Sequence, residues 1–128
     1  MMTEKITSLN PEILMWAKNA SGLPVEELDT IVSLIVSVAS PDIIILFGSY
    51  ARGDNKEKSD IDLLIVKKGL RGEREITGSI YMTFLENEIG VPVDLLAIDY
   101  DKYIRLSNEI GYVYKTIKEE GKVIYGSL

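Results

Sequence analysis

Two aspartates, Asp60 and Asp62, lie two residues apart where the apolar run IDLLIV begins. Residues two apart in a strand point to the same face, so this spacing places two carboxylates side by side. Such neighbours repel each other unless a cation lies between them or solvent screens them. A third acid, Asp94, lies within another apolar run, VPVDLLAI. If these two strands pair, three carboxylates converge, as two magnesium ions bridging a triphosphate and its attacking group require.

The dipeptide Gly48-Ser49 follows the apolar run DIIILF and supplies the other half of a phosphate-binding site. Glycine permits a tight turn and a close backbone approach, and Ser49 offers a hydroxyl and an N–H at the predicted start of a short helix. Arg52 lies one helical turn further on, within reach of a phosphate. A surface ion pair of Arg52 with Asp54 or Glu57 is an equally good interpretation.

The composition excludes several kinds of chemistry. The 128 residues include no cysteine and no histidine, which rules out disulfides, a Cys/His zinc site, a Ser-His-Asp triad and a Cys-His pair. A general base must then be Asp, Glu, Lys or Tyr, and a metal should be a hard cation with oxygen ligands. The net charge of −6 argues against nucleic-acid binding by charge alone. Without a long apolar stretch or a visible secretion signal, we expect a cytoplasmic location and no membrane contact.

The elements that must position these residues form one α/β domain over residues 1–128, with a small mixed sheet flanked by helices. Apolar runs predict strands over 42–47, 61–66 and 91–98, with a short edge strand or packed tail at 122–125. Helical spacing and caps predict helices that open at Asn10-Pro11, at Pro24, at Arg71 and at Glu109. They should end near Ser21-Gly22, Pro41, Gly90 and Gly121. We divide the chain into N-terminal helices (1–40), a catalytic core (41–98) and a C-terminal helix and tail (99–128).

Taken together, these motifs resemble a known signature. A Gly-Ser pair, ten intervening residues, Asp-x-Asp and then an Asp on another apolar strand is similar to the pattern of the DNA polymerase β-like nucleotidyltransferase superfamily. The string FGSYARGDNKEKSDIDLLIV resembles in particular the minimal nucleotidyltransferases, and the string EEGKVIYG is similar to the ending of that branch. The resemblance covers the chain from Ile43 to Ile98.

The resemblance implies two magnesium ions and transfer of a nucleoside monophosphate, AMP from ATP, to a hydroxyl with release of pyrophosphate. Gly48 and Ser49 would hold the triphosphate, with Arg52 as a supporting contact. Asp60 and Asp62 would ligate both metal ions. Asp94 would ligate the catalytic ion and accept the proton of the attacking hydroxyl. Members of this branch often pair with a HEPN-domain ribonuclease toxin, so the implied role is an antitoxin that adds AMP to a tyrosine of such a partner.

Other interpretations stay open at the level of sequence. A non-catalytic module of the same fold would keep a nucleotide- or partner-binding surface and neutralise a partner by contact. Transfer to an aminoglycoside or another small molecule differs only in the acceptor, and such enzymes commonly need a further substrate-binding domain. The N-terminal helices resemble the opening of some helix-turn-helix regulators, but their acids and long apolar second helix favour a cover for the sheet. The tyrosines after residue 99 suit core packing or a partner surface.

Overall fold

Four strands form one mixed sheet in the computed structural model, which describes residues 8–127. They are β1 (Ile43–Phe47), β2 (Ile61–Lys67), β3 (Val93–Asp99) and β4 (Lys122–Gly126), in the spatial order β3-β2-β1-β4. β1 pairs antiparallel with β2 and with β4, whereas β2 and β3 run parallel. The predicted α/β class with a small mixed sheet is confirmed, and the segment after Gly121 is an edge strand.

Six helices accompany the sheet within this described region. They are α1 (Pro11–Asn19), α2 (Val25–Ala39), α3 (Gly48–Arg52), α4 (Glu73–Glu86), α5 (Tyr100–Leu106) and α6 (Val113–Glu120). None of the helices within residues 8–127 is both long and apolar enough to cross a bilayer. Residues 1–7 and Leu128 lie outside the described residues. The expectation that the chain carries no secretion signal, and the start of the predicted N-terminal part, fall on residues 1–7.

The central strands are apolar at consecutive positions because both faces of the sheet are covered. Ile44 and Leu46 pack with α2 and α4 on one face, and Ile43 and Ile45 pack with α5 and α6 on the other. Successive side chains of a strand point to opposite faces, so a strand buried on both sides needs an unbroken apolar run. The face that α5 and α6 cover carries the candidate site.

Several predicted boundaries are wrong in detail. Helix α4 covers Glu73–Glu86 rather than the expected 71–88 before a cap at Gly90, and Glu88 takes the left-handed conformation with φ 55°. Asn10 precedes α1 as predicted, but its side chain makes no cap and instead donates to the carbonyl of Gly126 at 2.7 Å. The helix expected from Glu109 begins only at Val113.

Helix α5 was not among the predicted elements. Asp99 caps it, because the Asp99 side chain accepts a hydrogen bond from the N–H of Lys102. The same carboxylate accepts from the N–H of Gly69 at 2.8 Å, and these backbone donors hold the pKa of Asp99 below its usual range. α5 thus begins immediately after β3 and packs on one face of the sheet.

Candidate active site

The strand register brings the sequence-predicted acids to one end of the sheet. Asp62 lies opposite Phe47 of β1 and opposite Asp94 of β3. Residues that are direct partners in neighbouring strands project from the same face, so Asp62 and Asp94 point to the side covered by α5 and α6. Asp60 immediately precedes β2 at the same end. The pairing on which convergence of the carboxylates depends is therefore present.

The turn after β1 places Gly48 against the Asp62 carboxyl group. Gly48 has φ +76°, a conformation that residues with a side chain rarely adopt. A Cβ on Gly48 would lie 3.0 Å from Asp62 Cγ and would overlap Asp62 Oδ2. Both the backbone conformation and the space available thus require glycine here. Ser49 follows in the first turn of α3, as the sequence predicted.

The three acids differ in exposure, and this sets their electrostatics. The side chains of Asp60 and Asp94 are exposed, whereas Asp62 is partly buried. Burial, followed by the negative charges of Asp94 and Asp60, raises the pKa of Asp62 to about 6. Within residues 8–127, however, no three metal-ligating side chains are already drawn together around a common point. The acids share one end of the sheet without forming a closed cluster.

A cavity of about 390 Å³ opens beside Asp62. One wall is formed by the end of β1, by α3 and by Asp62 of β2, and the opposite wall is formed by α6. The lining residues are Phe47, Gly48, Ser49, Arg52, Asp62, Val113, Thr116, Ile117 and Glu120. The contribution of α6 to this cavity was not predicted from the sequence. The spacing of its members, at steps of three, one and three residues, does mark one helical face. Nothing in the sequence indicates what that face covers.

Arg52 lines this cavity but is already paired. Its Nε lies 3.1 Å from Asp54 Oδ2, and its Nη1 lies 3.6 Å from Glu120 Oε1. The predicted pairing with Asp54 is present, and Glu120 of α6 takes the place of Glu57. All three side chains are about half exposed, so these pairs contribute little to stability. Arg52 is thus a cation at the cavity wall whose present partners are weakly held.

The loop from Gly53 to Asp60 is fixed at two points. The Asn55 side chain donates to the carbonyl of Ser21 at 2.9 Å, which ties the loop to the turn between α1 and α2. Closer to the acids, the N–H of Lys56 donates to Ser59 Oγ at 2.7 Å, and the N–H of Ser59 donates to the Lys56 carbonyl at 3.1 Å. Asp60 follows this hydrogen-bonded turn directly and immediately precedes the first residue of β2.

The family model of the nucleotidyltransferase domain matches residues 26–124, which include all but the first residue of α2, all but the last two residues of β4 and every element between them. The chain belongs to this family. The resemblance inferred from the Gly-Ser and Asp-x-Asp motifs is confirmed, and the chain is a nucleotidyltransferase. The match also includes α6, so the wall that the motifs did not reveal is part of the family domain.

Two relatives of this nucleotidyltransferase come from Methanocaldococcus jannaschii, and both bear the name of protein adenylyltransferases. One, MJ0604, is 37% identical over 83 residues, which are 64% of this chain and 76% of the relative. The other, MJ1217, is 39% identical over 77 residues, which are 60% of this chain and 69% of the relative.

A solved structure similar to this nucleotidyltransferase is a toxin–antitoxin crystallised with AMP-PNP. The TM-score is 0.52 at 22% sequence identity, and the similarity covers 77% of this chain and 73% of that one. At this identity the likeness concerns the fold alone, and it agrees with the mixed sheet and flanking helices described above.

Proposed function

We propose that this nucleotidyltransferase is a magnesium-dependent adenylyltransferase that moves AMP from ATP to a hydroxyl of a protein. The observation that carries the proposal is the register that pairs Asp62 with Asp94, beside the Gly48-Ser49 turn of the cavity wall. A nucleotidyl transfer needs acidic oxygen ligands next to a phosphate-binding turn, and here the two share one end of the sheet. We propose that residues 1–128 act as one domain around this site.

The acids fit magnesium by their chemistry. Carboxylate oxygens are the ligands that this hard cation prefers, and the raised pKa of Asp62 shows how strongly its surroundings disfavour uncompensated negative charge. Asp60, Asp62 and Asp94 would hold the metal. When bound, magnesium neutralises charge on the phosphates and orients the triphosphate.

The other roles follow from position. Gly48 and Ser49 would hold the triphosphate through the backbone and the serine hydroxyl, and Arg52 would add a charged contact. Asp94, exposed at the edge of the site, would accept the proton of the attacking hydroxyl. The acceptor oxygen forms a bond to the α-phosphorus of ATP, the bond from that phosphorus to the bridging oxygen breaks, and pyrophosphate leaves.

The nature of the acceptor is supported by the comparisons. Relatives at 37% and 39% identity bear the name of protein adenylyltransferases, which favours AMP as the transferred group and a protein as its acceptor. The similar fold in a toxin–antitoxin with AMP-PNP favours an antitoxin role and ATP as the nucleotide. We propose a tyrosine of a HEPN-domain toxin as the acceptor and the cytoplasm as the location.

The test is to incubate the protein and a soluble extract of the source cells with ATP labelled at the α-phosphate and magnesium. Asp62→Asn should lower label transfer at least about a hundredfold, since a metal ligand supplies several kcal/mol to such a reaction. Asp101→Asn, which alters an exposed acid of α5, is the matched control and should transfer normally. Equal transfer by Asp62→Asn and wild type would refute the proposal. A variant that still neutralises a partner without transfer would favour the binding module instead.

A further inference from the structure

We infer that the acceptor protein binds through an apolar rim beside the carboxylates, formed by Leu96, Ile110, Tyr112 and Val113, and that its docking segment combines apolar and basic side chains. This inference rests on the proposed function and names the class of substrate for that same site.

The rim is exposed although its side chains are apolar. Ile110 is 89% exposed, the largest value among the large apolar residues within 8–127, and Tyr112 and Val113 are about half exposed. Apart from Gly111 itself and its two chain neighbours, no residue within 8–127 has an atom within 4 Å of where a Cβ on Gly111 would be, and Gly111 has φ +100°. The tip of the segment between α5 and α6 therefore stands clear of the body, where a partner can cover it.

The rim is continuous with the candidate site. Val113 lines the cavity together with Asp62, and Ile110 and Tyr112 belong to the segment that leads into Val113. On the other side, Leu96 lies two residues after Asp94 on β3, projects from the same face and is 38% exposed. In this proposal, an acceptor whose hydroxyl reaches Asp94 extends its adjoining surface over Leu96 on one side of the carboxylates and over the segment that leads into Val113 on the other.

The charges on this side of the molecule select the partner. Asp54 and Glu120 place two further carboxylates beside Arg52, in addition to the three acids assigned to magnesium. Among the residues within 8–127 that line the cavity, Arg52 is the one cation, and the proposed function assigns it to the phosphates of ATP, so this wall keeps no free cation for the phosphates of a nucleic-acid acceptor.

The lysines of α6 do not alter this balance. Lys115 is paired with Glu119, and Lys118 donates to Asn108. Helical spacing places both lysines away from the face formed by Val113, Ile117 and Glu120, which lines the cavity. A small polar acceptor would in turn leave the apolar rim uncovered. A protein segment with apolar side chains and positive charge satisfies both features of the surface.

The test uses three synthetic tyrosine peptides that differ only around the tyrosine: Lys-Leu-Tyr-Leu-Lys, Glu-Leu-Tyr-Leu-Glu and Lys-Ser-Tyr-Ser-Lys. Transfer of α-labelled AMP to each is measured with wild type and with Ile110→Ser, Leu96→Ser and Leu85→Ser. Leu85 is a matched control, since it is 73% exposed but lies on α4, across the sheet. Binding of a fluorescent ATP analogue is measured for each variant in parallel.

We expect the wild type to use Lys-Leu-Tyr-Leu-Lys with a kcat/KM at least about tenfold higher than that for either other peptide. Ile110→Ser and Leu96→Ser should each lower kcat/KM for this peptide about tenfold, which is the effect expected when one buried aliphatic contact is lost. Binding of the ATP analogue and the behaviour of Leu85→Ser should match wild type. Equal use of the peptides, unaltered transfer by the rim variants, or transfer to RNA but to no peptide would overturn the inference. Failure of every variant and of wild type to bind the ATP analogue would instead overturn the proposed function, and this inference with it.

Discussion

Gly48 and Asp62 are in contact across the turn that joins β1 to α3: there is no room for a Cβ on Gly48 beside the Asp62 carboxyl group. The predicted phosphate-binding turn and the predicted metal-binding strand are thus directly packed against each other. A side chain at position 48 would therefore displace the Asp62 carboxyl group. The two halves of the signature, ten residues apart in the sequence, form one structural unit.

A side chain at position 48 should disrupt the packing of the Gly48-Ser49 turn against Asp62. We expect Gly48→Ala to lower the free energy of unfolding by about 1–3 kcal/mol, because the left-handed backbone is strained with a side chain present. It should also lower AMP transfer at least about a hundredfold, because the new Cβ displaces the Asp62 carboxylate. Denaturant unfolding and α-label transfer measure the two effects.

Gly53→Ala is the matched control for this prediction. Gly53 also has a left-handed backbone, with φ +86°, but apart from its two chain neighbours no residue within 8–127 has an atom within 4 Å of where its Cβ would be. It should lose similar stability and retain most of its transfer activity. If both variants lost transfer equally, contact with Asp62 would not be the reason that Gly48 is needed.

The Asp62 carboxylate should destabilise the metal-free protein at neutral pH. Its pKa is raised from 3.8 to about 6 in the folded chain, so the folded state holds the proton more tightly than the unfolded state. The resulting contribution to the free energy of unfolding is fully present below about pH 4 and is lost as the pH rises through about 6. Asp62→Asn does not ionise, so its melting temperature relative to wild type should increase between pH 4.5 and pH 7.5.

Thermal unfolding in EDTA at pH 4.5, 6.0 and 7.5 measures this difference. Asp101→Asn, on the exposed side of α5, should show no such increase. A melting difference between Asp62→Asn and wild type that is constant over this range would contradict the raised pKa. A variant that is inactive yet more stable would show that the acid is retained for function.

Glu120 should compete with ATP for Arg52. Its carboxylate lies 3.6 Å from Arg52 Nη1 and lines the same cavity. Glu120→Gln removes a negative charge near the proposed phosphate site and takes away one of the two acidic partners of the guanidinium, so it should tighten ATP binding a few-fold at low salt. Arg52→Ala should weaken binding about tenfold, the size expected for one charge-assisted hydrogen bond.

Titration with a fluorescent ATP analogue at low and at high salt measures both effects. Glu119→Gln, whose carboxylate pairs with Lys115 on the same helix, is the control and should bind as wild type does. Weaker binding by Glu120→Gln would mean that this ion pair holds Arg52 in its useful position rather than withholding it.

The sequence was sufficient for the residues that depend on local spacing. The two-residue period placed Asp60 and Asp62 together, and the Gly-Ser turn was correctly placed between a buried strand and a short helix. Pairing of Asp94 with Asp62 is a long-range register, which a single sequence allows but does not fix.

Other features of the fold and the site could not be predicted because they depend on contacts between residues distant in the sequence. The α6 wall depends on how a helix distant in the chain packs over the sheet, and its spacing is equally typical of ordinary packing. Helix α5 begins with an Asp99 cap that also contacts Gly69, a contact between distant residues. Asn10 shows the reverse: a good local cap residue was drawn into a tertiary hydrogen bond with Gly126.

Nucleotidyl transfer can be distinguished from phosphoryl transfer by the position of the label on ATP. The protein is incubated with magnesium, the source-cell extract and ATP labelled at either the α- or the γ-phosphate. We expect an acceptor protein to be labelled by the wild type from α-labelled ATP only, with the γ-label recovered in pyrophosphate. Asp62→Asn should form neither the labelled protein nor the pyrophosphate. Protein labelled from γ-labelled ATP by the wild type but not by Asp62→Asn would identify phosphoryl transfer and would contradict nucleotidyl transfer.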